Sequence, residues 1–308
     1  MIDIFPVVKY NEFKRILGND NFSKLTSAYK NGFTSLLDTT WDIYSNPKLN
    51  GSAHLITREQ VESTARLLFS VLEWYKQKQV YRFDEDLWNT ISEVDDVNIN
   101  SIIFNSLPFN CFYIEHPIHS FSGAIFIKIE NRIQICFVGD KNNYSSYLDF
   151  VLNEETTINT MFNQNTTDEI TNNPWFTQAI KSILSAALYL CSEKPDISTY
   201  KQDIPETTKN RTKRQSKSKT SNNSIKINTT GLKIGKVIRE FNLQKKKYTT
   251  IQNHNGKHTP KTPHIRKAHW HSFWTGNKEN RKLIIKFIPA TFVGGNSESN
   301  ITVREIKS

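Results

Sequence analysis

The period of the hydrophobic pattern changes along the chain, and this change limits the possible folds most. Residues 57–79 place apolar side chains three and four positions apart, as one face of a helix requires. Residues 101–139 instead form short runs rich in Ile, Phe, Val and Tyr, separated by Pro, Gly and Asn, which is typical of strands. The sequence therefore predicts an α+β fold in which a helical N-terminal part packs on an antiparallel sheet.

Local signals place the main elements. Thr57 and Gln60 have the spacing of a capping box at the start of the helix over 57–79. Asn173 is suited to cap a second, buried helix over 174–193, whose first residue is proline. The other predicted elements are a helix over 84–93 and strands over 101–106, 111–116, 121–129 and 132–139, with a hairpin turn at Glu130-Asn131.

The composition suits a soluble protein with a packed core. The chain has 308 residues, of which 37% are hydrophobic and 12% aromatic. It has no apolar run long enough to span a bilayer and no secretory pattern at its N-terminus, so we expect a cytoplasmic protein. Cys111, Cys136 and Cys191 are widely spaced in apolar surroundings, which predicts buried free thiols.

Charge divides the chain into unlike parts. Residues 1–198 contain 16 Lys and Arg against 24 Asp and Glu, whereas residues 199–282 contain 21 against 4. The stretch 199–224 has almost no large apolar side chains, which predicts a flexible basic linker that either contacts nucleic acid or only aids solubility. The predicted organisation is an acidic α+β module (1–198), the linker (199–224), a basic β-rich module (225–294) and a tail (295–308).

The basic module contains the densest set of reactive side chains. Residues 225–241 alternate well enough for two strands around Thr230-Gly231, and a basic loop follows from Lys245. Residues 262–293 then predict two further strands around a turn at Gly276-Asn277. In a strand, His269, His271 and Phe273 share one face, and Ala268, Trp270, Ser272 and Trp274 share the other.

Residues of these types occur in three kinds of site, namely metal sites, nuclease sites and binding surfaces. A metal site is not expected, because the histidines lack zinc-motif spacing and no Cys or acidic residue lies among them. A metal-independent ribonuclease would need two acid–base groups and a cation, for which His269, His271 and Arg266 are the candidates. Binding of nucleic acid without catalysis, or of protein alone, remains open. The candidate nucleic-acid contacts are His264, Arg266, Lys267, Lys245, Lys246, Lys247 and Arg239.

The C-terminal signature also resembles a known family. The residues that carry the resemblance are Pro263, His264, Arg266, His269, Trp270, His271, Trp274, Gly276, Pro289, Phe292 and Val293. Supporting likenesses are Ser101-Ile102 through Pro108 with Cys111 and Tyr113, the run 148–151, Leu190-Cys191 with Pro195-Asp196-Ile197, and Ile234-Gly235 leading to Val237 and Arg239. Together they are similar to the second-named family of type V-A anti-CRISPR proteins, over most of the chain.

The resemblance implies a function that composition does not reveal. The founding type of the family blocks biogenesis of the type V CRISPR effector nuclease by recognising its nascent N-terminal segment, which leads to loss of the translated message. For this chain, the resemblance implies a regulator from a mobile element that acts in the bacterial cytoplasm without a cofactor. Its implied partners are the nascent chain of the target protein and RNA or the ribosome. Pro263, Trp270, Trp274, Gly276 and Pro289 would then form the scaffold of the signature.

Overall fold

The computed structural model describes residues 4–45, 57–94, 98–118, 121–139, 145–167, 170, 172–204, 224–252, 264–277 and 281–293. For residues 118, 145, 246–252, 264, 292 and 293 only the backbone is described. The helices are α1 (Phe5–Lys30, kinked at Gly18), α2 (Phe33–Tyr44), α3 (Arg58–Gln77), α4 (Glu85–Ser92), α5 (Ile158–Asn165), α6 (Pro174–Leu190) and α7 (Leu232–Gln252). No helix among the described residues is long and apolar enough to cross a membrane.

A seven-stranded sheet lies at the centre of this part of the chain. Its strands are β1 (Gln79–Phe83), β2 (Cys111–Ile118), β3 (Phe121–Ile129), β4 (Arg132–Gly139), β5 (Ser145–Val151), β6 (Ile197–Asp203) and β7 (Ser224–Thr230). They lie in the order β5-β4-β3-β2-β1-β7-β6. The α+β class is confirmed, but the sheet is mixed rather than antiparallel, because β1 is parallel to both β2 and β7.

Helices cover both faces of the sheet. One face packs on α1, α2 and α3 around fully buried side chains such as Trp74. The other face packs on α4, α5 and α6 around Phe112, Phe126 and Phe137. Strands β1 to β4 therefore carry apolar residues on both sides, which explains why β2, β3 and β4 appear as continuous apolar runs in the sequence.

Most of the predicted N-terminal elements are present. Thr57 and Gln60 form the capping box of α3, with backbone-to-side-chain hydrogen bonds of 3.1 and 3.2 Å. Asn173 caps α6, and Glu130, at φ 51°, forms the hairpin between β3 and β4. The three cysteines are free and buried, as expected.

The segment 101–106 is not a strand. It forms a 3₁₀ helix, Ser101–Ser106, whose first turn is capped by Asn100 Oδ1 accepting from the Ile102 N–H at 3.0 Å. Ile103 and Phe104 of this helix are buried in the core. A short apolar run suits either element, and here a local cap satisfies the backbone without a partner strand.

The predicted strand after Gly231 is also wrong, because α7 begins there. The side chain of Asp196 accepts hydrogen bonds from the N–H groups of Lys233 (2.6 Å) and Ile234 (3.4 Å), and so caps this helix from a distant part of the chain. Gly231 itself has φ 84°, and a Cβ there would lie 2.1 Å from Leu87. Lys245, Lys246 and Lys247 consequently lie in a helix and not in a basic loop.

Some residues of the predicted linker and of the predicted basic module contribute to the central sheet. β6 contains residues 199–203, at the predicted start of the linker, and pairs with β7. β7 comes from beyond the linker and lies between β6 and β1. Residues 205–223 of the predicted linker and the tail lie outside the described residues.

Candidate functional site

The C-terminal ribbon, defined here as residues 264–277 and 281–293, contains most of the predicted site residues. Its longer pair is β9 (His269–Thr275) and β10 (Lys282–Ile288), and its shorter pair is β8 (His264–Arg266) and β11 (Thr291–Val293). β9 and β10 pair antiparallel from His269 opposite Ile288 to Thr275 opposite Lys282. Gly276, at φ 93°, ends β9 in a conformation that other residues rarely adopt. The predicted strands are therefore present, and Gly276 marks the end of the first of them.

The inner face of the ribbon attaches it to the core. The ring centroids of Trp270 and Phe287, its cross-strand partner, lie 5.0 Å apart. Phe287 in turn packs on Tyr189 of α6, with 6.3 Å between the ring centroids. Ile285 on the same face of the ribbon is fully buried. Trp270 thus packs against the core from the inner face of the ribbon.

Glu193, three residues beyond the end of α6, holds β10 in place. Its N–H donates to the carbonyl of Ile285 at 2.9 Å, and its carboxylate lies 2.9 Å from Nζ of Lys286. The hydrogen bond from Lys286 lowers the pKa of Glu193. This contact was not predicted, because it joins residues far apart in sequence.

The outer face presents the two candidate catalytic histidines. His269 and His271 lie on this face, and His271 is exposed. Nδ1 of His269 lies 3.0 Å from the carbonyl oxygen of Lys267, and Lys286 stands directly opposite His271 in the strand register. The alternation of faces in the sequence therefore placed both imidazoles on one side, next to a cation.

Trp274 differs from Trp270 although both are on the inner face. Its side chain is 53% exposed, because it lies at the turn end of β9, beyond the core residues. An exposed indole on a basic ribbon is a suitable platform for stacking against a nucleobase. The sequence alone favoured a scaffold role for both residues.

Cations are concentrated on the ribbon. Arg266, Lys267, Arg281 and Lys282 are all exposed. The described residues of the ribbon include no Asp or Glu, so its positive charge is offset only from outside, as by Glu193 on Lys286. Such a surface attracts phosphate groups.

Arg239, a predicted nucleic-acid contact, is held by two carboxylates. Its Nη1 donates to Oδ2 of Asp84 at 3.0 Å and to Oδ2 of Asp86 at 2.7 Å, and these bonds raise its pKa. Asp84 also caps α4, and Gly235 of α7 lies so close that a Cβ there would be 1.9 Å from Oδ1 of Asp84. Arg239 therefore joins α4 to α7, and a phosphate would have to compete with both carboxylates for it.

The remaining predicted residues are distributed around the ribbon. Lys245 is exposed on α7, and Pro289 lies between β10 and β11. The side chains of Lys246, Lys247 and His264 and the whole of Pro263 lie outside what the structure describes.

A cleft of about 520 Å³ opens between α4, α7 and the ribbon. Asp86, Asn89, Thr90 and Glu93 line it on the α4 side. The other lining residues come from α7 and from the ribbon, and include Ile238, Phe241, Asn242, Lys245, Ile265, Lys267, Ala268 and Ala290. Sequence reasoning missed this cleft, although on both α4 and α7 the lining residues recur at the three- and four-residue spacing of one helix face.

The arrangement is compatible with binding of anions and leaves catalysis as a prediction. Two imidazoles near exposed cations are the groups that metal-independent RNA cleavage requires. Within the described residues, no three His, Cys, Asp or Glu side chains lie close enough together to hold a metal ion.

Comparison with known proteins assigns the family. The model of the AcrVA2-like family, described as the anti-CRISPR type V subtype A2 family, matches residues 81–295. A crystal structure of AcrVA2 has a similar fold, with a TM-score of 0.55 and 19% sequence identity over 93% of this chain and 98% of the other. No curated protein gives a significant match. Because the family match includes the sheet, α7 and the ribbon, this chain belongs to the anti-CRISPR type V subtype A2 family.

Proposed function

We propose that this anti-CRISPR protein lowers the expression of a type V CRISPR effector nuclease during translation. In this proposal it recognises the nascent chain of the effector and causes loss of the message being translated. The family assignment indicates a CRISPR-related target. The observation that carries the finer mechanism is the position of a basic ribbon directly beside an open cleft with charges of both signs.

The ribbon is the proposed contact to RNA. Arg266, Lys267, Arg281 and Lys282 offer charges to phosphates, and Trp274 offers an exposed aromatic face. Both features favour single-stranded RNA or exposed ribosomal RNA over a duplex, whose bases are already stacked. Contact to the message or the ribosome would bring the protein to the site where the nascent chain emerges.

The test uses two effector messages that differ almost only in reading frame. One encodes the natural N-terminal segment, and the other carries compensating frameshifts that change this segment of the protein but hardly change the RNA. We expect the chain to lower the first message several-fold and to leave the second unchanged, measured by quantitative reverse transcription. Equal loss of both messages would contradict recognition of the nascent chain. Loss of nuclease activity at constant message would indicate a protein-binding inhibitor instead.

A metal-independent ribonuclease is the second candidate, because His269 and His271 lie on one face of β9. To test this candidate, purified protein is incubated with the effector RNA in the presence of EDTA. The lead proposal assigns cleavage to a host nuclease and expects intact RNA. Cleavage that is lost on replacing His269 and His271 by alanine would favour the ribonuclease, with Arg266 as the candidate stabiliser of the developing charge.

A further inference from the structure

The cleft between α4, α7 and the ribbon separates charges of opposite sign. On the α4 side, Asp86 is held by Arg239, whereas Glu93 is exposed and its carboxylate has no ion pair among the described residues. On the opposite side, Lys245 and Lys267 are exposed. A ligand in this cleft would therefore meet a negative wall and a positive wall across about 520 Å³, a volume that is typical of binding sites.

Glu93 is placed where a cation would stabilise it. It is the C-cap residue of α4, so its carboxylate lies at the negative end of the helix dipole. An acidic side chain at this position is unfavourable unless a positive group binds nearby. A cationic group from a ligand would offset both the carboxylate and the dipole.

The rest of the lining suits a polypeptide. Asn89, Thr90 and Asn242 offer amide and hydroxyl groups that can hydrogen-bond to peptide groups. Ile238 and Phe241 provide an apolar floor, of which Ile238 is only 5% exposed. A nucleic acid would place phosphates against the negative wall, which makes it the poorer occupant.

We propose that this cleft binds a short extended segment of the target protein that carries a Lys or Arg side chain next to an apolar one. The cation lies against Glu93, and the apolar side chain covers Ile238 and Phe241. This inference rests on the proposed function, because it identifies the bound peptide with the nascent chain. Lys267 and Ala268 line the cleft and lead directly into β9, so the peptide would bind immediately beside the proposed RNA contact.

The direct test is fluorescence anisotropy with labelled overlapping peptides that together span the effector sequence. We expect the full-length protein to bind a peptide with a basic residue, and Glu93→Lys to weaken this binding by about tenfold, or about 1.4 kcal/mol. Asn242→Trp, which fills the cleft without changing charge, should weaken it similarly. Glu85→Lys is the matched control, since Glu85 is an exposed acid of α4 that does not line the cleft, and it should change the affinity by less than about twofold.

A charge exchange strengthens the test. The peptide is resynthesised with its basic residue changed to Glu. We expect this changed peptide not to bind the natural protein, but to bind the Glu93→Lys variant. The inference is overturned if no peptide binds, if both cleft variants bind normally, or if Glu85→Lys weakens binding as much as Glu93→Lys. Circular dichroism of each variant verifies that it is folded.

The outcomes distinguish the cleft from the proposed function. If the frame-dependent loss of message occurs and persists in Glu93→Lys and Asn242→Trp, the proposed function stands and the cleft is wrong. If the natural protein leaves the message unchanged but binds a peptide through Glu93, the cleft stands and the proposed function is wrong.

Discussion

Trp270 and Trp274 lie on the same face of β9, but only Trp270 lies over the core. Its ring packs on Phe287, whereas more than half of the Trp274 side chain is exposed. An aromatic residue packed against the core contributes to stability, and an exposed one at a basic surface is available for a ligand. The two residues should therefore respond differently to the same substitution.

We expect Trp270→Ala to lower the free energy of unfolding by about 3 kcal/mol, because it removes a large side chain from the packed inner face. Trp274→Ala should change it by less than about 0.5 kcal/mol, as is usual for exposed positions. Urea titrations measure both changes. In anisotropy titrations with single-stranded RNA, Trp274→Ala should weaken binding about fivefold, through loss of one stacked base. Unchanged RNA affinity in Trp274→Ala would argue against the stacking contact.

Strand alternation was sufficient to predict which residues of the ribbon share a face, and it did so for both histidines and both tryptophans. It could not predict where the core ends beneath that face. This depends on Tyr189 and Glu193, which approach from α6 and its C-terminal end and carry no local signal. The same limit applies to Arg239. Its basic side chain predicts a phosphate contact, but in the structure it is paired with Asp84 and Asp86, which are distant in sequence.

At the scale of elements, Arg239 joins α7 to α4 through its bonds to Asp84 and Asp86. Asp84 caps α4 with its carboxylate and receives Arg239 from α7, and Gly235 allows the two helices to approach. The helices in turn form two sides of the cleft. The geometry of the cleft therefore depends on a glycine in the first turn of α7.

Gly235→Ala tests this dependence by the sign of its effect. At an ordinary helix position the change to alanine stabilises by up to about 1 kcal/mol. Here the added Cβ would lie 1.9 Å from Oδ1 of Asp84 and must displace it. We expect a loss of about 2 kcal/mol in urea unfolding, from the lost cap and the steric strain.

Lys236→Ala serves as the control, because Lys236 is the exposed neighbour of Gly235 on α7. It should leave the free energy of unfolding within about 0.5 kcal/mol of the natural protein. A stabilising effect of Gly235→Ala would show that the two helices do not approach at this point.

Elements with their own start signals were predicted well. α3 has its capping box and α6 has Asn173 followed by proline, so both could be located from local sequence. The start of α7 could not be located in this way, because its cap is Asp196. Both β6 and β7 lie between Asp196 and α7 in the sequence. Its alternating first residues therefore predicted a strand.

At the scale of the whole molecule, the acidic and basic parts share one sheet. β7 belongs to the basic part, yet Ile225 and Ile227 are fully buried and the strand pairs with β1 along its length. The charge boundary therefore does not coincide with a boundary of the core. Parallel pairing between distant strands has no local sequence signal, which is why the charge pattern suggested two separate modules.

A fragment that ends at Ile204 tests this arrangement. Without β7, the sheet loses an inner strand, and β1 and β6 lose their shared partner. We expect the fragment to show no cooperative thermal transition by circular dichroism. A chain that ends at Val293 retains every described element and should unfold at nearly the same temperature as the full chain. Cooperative unfolding of the shorter fragment would instead support an independent acidic module.

The position of β7 also sets the order in which the protein can fold. β1 and β7 are separated in sequence by all the other strands of the central sheet, so their pairing has a high sequence separation and is slow to form. During synthesis, β1 keeps an open edge beside Val80 and Tyr81 until Thr230 has left the ribosome. An open apolar edge is prone to aggregation, so we expect correct folding of the newly made protein to depend on rapid completion of its own chain or on a chaperone.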